Sequence, residues 1–565
     1  VDGLKFNALF SYVRGANHSK SFLTPYSLYL LGDDGSVANE RIFGKTTLSE
    51  EMYIGHNMTS TLTLTYNKKI KGHSVSGLFV YEQFESLGST LGASRTNFPF
   101  TSIDQLFAGG DDEEQSNWGN PSQDARKGFI GRFNYDYKGK YLAEFSFRYD
   151  GSLKFHPDRR WGFFPSVSLG WRLSEEAFMK KFSNLDNLKI RGSYGILGND
   201  AVGGWQWLTN YSFGDAYIFN QAPIKSIVSG GIPNVDLTWE KTSTFNLGVD
   251  ASIYKGLLSV EADVFYKRTY DILGSRNASM PQTFGATLPS ENYGVVKVKG
   301  FELQVKHDNK IGDFRYHVGG NVSWARNKVI ERDYAAGIEP WNNPIGKTMG
   351  YRACFVALGL FQSDDEAAAW PRFKGTQPTA GDVKYADLNN DGIMDERDKK
   401  VVSPYSNTPE IMFGLNLSAS WKGFDFSALF QGAANRNVML SGFATQMFVN
   451  GSSNLPKYLY DDRWTPDNRN ARYPKAWGPD HPSNNKASTF WLINGNYVRL
   501  KNMELGYSIP KVLLSKVGVE RLRVYVGGTN LFSIDHMPGY DPEKQDGGPN
   551  YYPQQRVFNM GVNIT

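Results

Sequence analysis

Residues 240–267 alternate between apolar and polar positions. Phe245, Leu247, Val249, Ala251 and Ile253 fall on one face of an extended chain, and Asn246, Gly248, Asp250 and Ser252 on the other. After the tight turn Tyr254-Lys255-Gly256, Leu258, Val260, Ala262, Val264 and Tyr266 alternate with Ser259, Glu261, Asp263 and Lys267. A period of two on both arms of a turn predicts a β-hairpin. The pattern returns at 411–431, where Ile411, Phe413, Leu415, Leu417, Ala419 and Trp421 share a face. A Lys422-Gly423 turn then leads back through Phe424, Phe426, Ala428 and Phe430. Further hairpins are expected at 58–69 with 73–86, 127–137 with 140–150, and 298–308 with 313–326. Strands are expected at 4–14, 497–508, 521–531 and 556–564, with 162–173 and 187–196 flanking a helical turn that begins at Ser174-Glu175-Glu176. The total is about sixteen strands.

Their connections alternate in length. Short ones fall near 70–72, 138–139, 254–256, 309–312 and 422–423, with 174–186 and 509–520 somewhat longer. Long ones fall near 15–57, 87–126, 197–239, 270–297, 327–410, 436–496 and 532–555. Tight turns on one rim and long loops on the other predict an antiparallel transmembrane β-barrel with short periplasmic turns and long extracellular loops. A soluble sandwich or propeller also alternates its faces, but gives no reason for long loops at every second connection. In the barrel reading Phe245, Leu247, Val249, Val260, Ala262 and Val264 face lipid, and Asn246, Asp250, Glu261 and Asp263 face the lumen.

Composition agrees. Among 565 residues there are 58 Gly, 31 Tyr and 37 Phe, a mixture that suits strands and turns better than helical bundles. A net charge of +4, with no basic cluster interleaved with aromatics, gives no reason to expect nucleic acid. The single Cys354 excludes an internal disulfide and any cysteine-rich metal site. No stretch approaches the roughly 20 apolar residues of a transmembrane helix, but a strand barrel hides its apolar half in alternation.

The sharpest chemical motif is "YADLNNDGIMDERDKK" at 385–400. Asp387, Asn389, Asp391 and Asp395 occupy the first, third, fifth and ninth positions of an EF-hand-like loop, and Asp398 the twelfth. Gly392 sits at the sharp turn, and Ile393 offers a carbonyl. These residues are candidate Ca2+ ligands, in a structural clip rather than a sensor, since "GDVKY" before them reads as extended. The alternative is an Asn/Asp/Gly-rich turn satisfied by its own backbone. Trp118, Trp205, Trp207, Trp464 and Trp477 fall in the long connections. They are candidate substrate-stacking residues, or else pack the loops together. Trp171, Trp324 and Trp421 lie in or beside strands and suit interfacial girdles. The run Asp111-Asp112-Glu113-Glu114 reads as a solvated loop tip. Ser363 followed by Glu366 has capping-box spacing and predicts a helix over Asp364–Trp370. No nucleophile elbow, HExxH, phosphate loop or zinc-spaced histidine pair is present, so no catalytic residue is assigned.

Eight segments, in this order, resemble the SusC-like TonB-dependent outer-membrane transporters over nearly the whole chain. They are "LKIRGSYGILGND" (188–200), "NVDLTWEKT" (234–242), "DVFYKRTYDIL" (263–273), "NYGVVKVKGFEL" (292–303), "GDVKYADLNNDGIMDERD" (381–398), "NYVRLKNMELGYSIP" (496–510), "GGTNLF" (527–532) and "PGYDPE" (538–543). The resemblance implies a plugged barrel of about twenty-two strands, so residues 1–565 are expected to form its C-terminal portion. Plug, TonB-contacting segment and first barrel strands would lie outside the chain. It implies import of glycans across the outer membrane with a SusD-like surface lipoprotein as lid and the TonB complex as energy source. A peptide importer of the same family is the first alternative, and a soluble all-β glycan hydrolase or a passive porin the remoter ones. In "RVFNMGVNIT", Phe558, Met560, Val562 and Ile564 keep the lipid phase. The natural chain is expected to continue by an aromatic residue, and 556–564 to pair with a first strand outside the chain.

Overall fold

The computed structural model describes residues 3–31, 34–111, 114–219, 222–286, 288–448, 455–477, 483–514, 518–547, 552 and 554–565. Sixteen strands form one sheet in which every neighbour in space is a neighbour in sequence. They are β1 (Leu4–Leu23), β2 (Thr47–Ile70), β3 (His73–Thr96), β4 (Gln115–Tyr137), β5 (Tyr141–Ser152), β6 (Trp161–Arg172), β7 (Leu185–Asn199) and β8 (Glu240–Ile253). The series continues with β9 (Leu258–Gly274), β10 (Glu291–Ile311), β11 (Phe314–Glu331), β12 (Ile411–Trp421), β13 (Phe424–Ala434), β14 (Tyr497–Ser508), β15 (Leu522–Ile534) and β16 (Val557–Ile564). The expected tally of sixteen holds. Two compact units divide the chain, one of 1–138, 143–167 and 197–239, the other of 139–142, 168–196 and 240–565.

In the first unit β2 and β3 pair without a break from Thr47↔Thr96 to Ile70↔His73. Each has 24 residues, more than twice the ~9–11 that a tilted strand needs to cross a bilayer. The connections expected at 15–57 and 87–126 are therefore largely strand: β1 runs to Leu23, β2 starts at Thr47, β3 ends at Thr96 and β4 starts at Gln115. Period two requires one apolar face, and beyond the membrane both faces meet water, so the ladder continues while its sequence signal stops. Smaller hairpins, Tyr26–Leu31 with Val37–Phe43 and Tyr211–Phe219 with Ala222–Ser229, sit inside two of the long connections.

In the second unit the Lys422-Gly423 turn has φ of 45° and 91°, the left-handed pair that matches the twist of a two-residue hairpin. Outward phase follows the sequence. Phe245, Leu247, Val249 and Val264 are exposed, while Asp250 and Asp263 are half-buried against Arg191 on the other face. Trp324 lies opposite Ile411 in the β11–β12 register, and Trp421 ends β12 ten residues beyond Ile411. These two indoles bracket the span a tilted strand uses to cross a membrane.

The long connections of this unit are folded. A helix at Asp364–Ala369, α1, is capped as expected: Ser363 Oγ accepts from the Glu366 amide at 3.1 Å, and Glu366 Oε2 accepts from the Gln362 amide at 2.8 Å. Val438, Leu440, Met447, Leu459, Trp477, Trp491 and Met537, from 435–496 and 535–556, close into one apolar core. Phe355, Val383, Tyr385 and Met394 form another. Main-chain pairs such as Phe355–Ser488 tie the loops together.

Candidate functional site: the interior cavity of the second unit

A cavity of about 790 Å³ lies between the inward face of β9–β13 and the folded connections. Strand alternation delivers Glu261 and Asp263 from β9, Glu302 and Gln304 from β10, Asn321 and Ser323 from β11, and Gln431 from β13. Across from them stand Asn407, Thr408, Arg436, Tyr497, Glu543 and Gln545. Its size is in the range of small-ligand sites.

Fixed charge pairs hold the wall. Arg191 of β7 donates to Asp250 at 3.0 Å and to both oxygens of Asp263 at 2.6 Å. The guanidinium passes over Gly248, where a Cβ would stand 2.6 Å from its Cζ. Arg499 donates to Glu543 and Asp541, each at 2.6 Å, and Lys501 to Glu543 at 2.9 Å. Arg436, only 4 % exposed, donates to the carbonyls of Pro542 and Lys544 at 2.6 Å. These bonds fix residues 541–546 above the strands. Asp263 and Glu543 are thus neutralised. Glu261 has only Lys306 at 3.9 Å, and no cation pairs with Glu302 among the described residues. The resulting lining is rich in amides and mildly acidic.

The tryptophans named from sequence do not converge on it. Trp464 and Trp477 are 8 % and 5 % exposed, their rings taken up by packing among the loops. Trp118 lies in β4, opposite Gly92 of β3, and donates to Glu51 at 3.0 Å. Trp205 and Trp207 sit together in the first unit with centroids 6.0 Å apart, and His156 meets Trp207 edge-on at 5.3 Å. Sequence reasoning had named Asp250, Glu261 and Asp263 as lumen acids but missed Arg191, Gln304, Asn321, Gln431, Arg436 and Tyr497. Their inward strand phase was the available signal for the three amides. Of the acidic run, Asp112 and Glu113 lie outside the described residues; Asp111 faces Arg95 at 3.6 Å, and Glu114 accepts from Asn97 at 2.6 Å.

The 387–398 loop closes on itself. Asp387 accepts from the amides of Asn390 and Gly392 at 2.8 and 2.9 Å, and Asp391 from that of Ile393 at 3.0 Å. Asp398, fully buried, accepts from the amides of Leu388 and Asp395 at 2.9 and 2.8 Å. Arg397 places its guanidinium 2.6 Å from Asp391 and 2.7 Å from Asp395, and holds the Asp395 carboxyl below the usual carboxylate range. Asn389 spends its side chain on Asp391, accepting from its amide and donating to its carboxylate. Among the described residues no three His, Cys, Asp or Glu side chains converge on a metal position. In this arrangement the donor set is engaged by backbone amides and an arginine.

Comparison with known proteins places these features. The chain is 27% identical to TonB-dependent receptor P3 of Formosa agariphila over 596 residues, covering 100% of this chain and 56% of the relative. It is 27% identical to TonB-dependent receptor SusC of Bacteroides thetaiotaomicron over 460 residues, 77% of this chain and 43% of that protein. It thus spans about half the length of these relatives. The structure of the RagAB peptide transporter shares the fold with a TM-score of 0.78 at 23% identity, covering 100% of this chain and 60% of that one. Residues 2–531 match the model of the TonB dependent receptor-like, beta-barrel family. An antiparallel meander of strands agrees with that match, and the chain belongs to this family of outer-membrane β-barrels, SusC-like in sequence.

Proposed function

We propose that the chain forms the barrel wall of an importer for neutral oligosaccharides, with a SusD-like lipoprotein over the long connections and TonB acting through residues outside this chain. The cavity of the second unit carries the reading. Amides of Gln304, Asn321, Gln431 and Gln545 both donate and accept, which suits sugar hydroxyls. The residual acidity of Glu261 and Glu302 disfavours sulfated or uronic acid chains. The role is transport, and no bond chemistry is assigned to these residues.

Amide-rich walls also satisfy a peptide backbone, and the shared fold with the RagAB peptide transporter supports that second reading. A panel of neutral glycans, acidic glycans and peptides, presented to the purified full-length complex by calorimetry, tests both. Neutral glycan binding weakened by Gln431→Ala and Asn321→Ala supports the proposal. Binding of peptides alone overturns it. Uptake that persists after the proton-motive force is collapsed overturns the TonB-driven part.

A further inference from the structure

The outward face of β8–β11 changes character abruptly near the rim of the long connections. On β10 and β11 the outward apolar rows end at Phe301 and Trp324, which stand side by side in register with Leu247, Val264 and Ile411. The next outward row toward the long connections is Phe245, Tyr266, Lys299 and Arg326, and the one after it is Ser243, Arg268, Lys297 and Lys328. Five cations therefore lie within two rows, about 7 Å of strand length, directly above the indole that marks the apolar edge. A connection folds over them: Lys347, Thr348, Tyr351, Val401 and Pro404 join Lys297, Lys299, Arg326 and Lys328 around a cavity of about 520 Å³.

Most of this charge is uncompensated. Arg326 is held by both oxygens of Glu410 at 2.7 Å. Lys347 donates to the carbonyls of Pro340 and Asn343, which leaves its charge in place. Among the described residues no carboxylate pairs with Lys297, Lys299 or Lys328. Like charges gathered at one spot repel, and a multivalent anion relieves them. The height is that of lipid headgroups, and the cations face away from the lumen, so the anion comes from the membrane side. We propose that this pocket binds the phosphate of an anionic glycolipid of the outer leaflet, with Lys297, Lys299 and Lys328 as phosphate donors and the Phe301–Trp324 pair against its acyl chains.

The test is lipid retention by the purified full-length complex, read by native mass spectrometry with monophosphoryl lipid A and its dephosphorylated form. The triple variant Lys297→Gln, Lys299→Gln, Lys328→Gln is expected to lose at least about tenfold in retention of the phosphorylated lipid. The triple Lys→Arg variant is expected to keep it. Lys267→Gln, on the inward face of the neighbouring strand β9, is expected to match the native protein. Resistance of the folded barrel to dissociation in cold detergent confirms assembly of each variant. Unchanged retention in the assembled Gln variant, or equal retention of the dephosphorylated lipid, overturns the proposal. Full displacement by millimolar inorganic phosphate also overturns it, assigning the pocket to free phosphate. Release of the lipoprotein lid from the Gln variant with lipid retention intact overturns it in favour of a protein contact.

Discussion

Arg191 reaches from β7 to β9 across the bare Cα of Gly248 and grips both oxygens of Asp263 at 2.6 Å. Three adjacent strands are locked by one side chain, and the lock depends on an atom that is missing from the middle strand. Gly248→Ala is expected to push the guanidinium aside and destabilise the barrel by about 1.5–3 kcal/mol, the value of a charge-assisted hydrogen bond. Arg191→Lys keeps the charge but loses the two-pronged geometry and should cost a similar amount. Combined, the two changes should cost less than their sum. Strict additivity in denaturant unfolding would mean that Gly248 and Arg191 act independently.

Burial pushes the Cys354 thiol up to about 11, against about 8.5 for a free cysteine. The folded loop holds the protonated thiol while the unfolded chain releases its proton first. The contribution is complete below about pH 8.5 and falls as pH rises through about 11. Native protein and Cys354→Ala, unfolded at a series of alkaline pH values, should therefore converge or cross over that window. Alkylation of Cys354 at neutral pH should require opening of the loops.

Trp491 is 1 % exposed and donates to the Asn484 carbonyl at 2.7 Å. Asn484 in turn donates to buried Asp382 at 2.9 Å. Trp491→Ala is expected to destabilise the folded connections by roughly 3–5 kcal/mol. Hydrogen exchange should rise across 435–496 and 535–547 and stay low in β9–β13. Trp205→Ala, at a half-buried site, should leave that pattern unchanged.

Arg397 stands against Asp391 and Asp395, so chelators are expected to leave the 387–398 loop as resistant to proteolysis as before. Arg397→Ala frees two carboxylates, and calcium should then protect the loop in a dose-dependent way. Calcium protection of equal size in the native chain would show that the arginine yields to the ion.

Strand number, outward phase and the α1 cap were legible because each is local: alternation, turn residues and a Ser-x-x-Glu spacing carry them. The ends of β2 and β3 were not, since Ser49, Glu50 and Glu51 pair through backbone groups that sequence does not reveal. For the cavity, inward phase identified Glu261 and Asp263, but the pairing of Asp263 with Arg191 rests on register between strands separated by β8. Trp464 and Trp477 were drawn toward ligand by their loop position. Sequence distance says nothing of a core assembled from 438, 459, 491 and 537. In the 387–398 motif the spacing of oxygens was readable, whereas the arginine folded back onto them was not.

The apolar core of the long connections places two opposite solvation rules in one polypeptide. At Leu247 or Val264 an apolar side chain serves by being exposed; at Leu459 or Val438 it serves by being hidden. Serine at the first pair weakens the seat of the strands in lipid, and at the second it loosens packing in water. Detergent exchange should report the first kind of damage and urea the second. A substitution harmless under one challenge can then be ruinous under the other, with the apolar edge at Trp324 as the border between the two regimes.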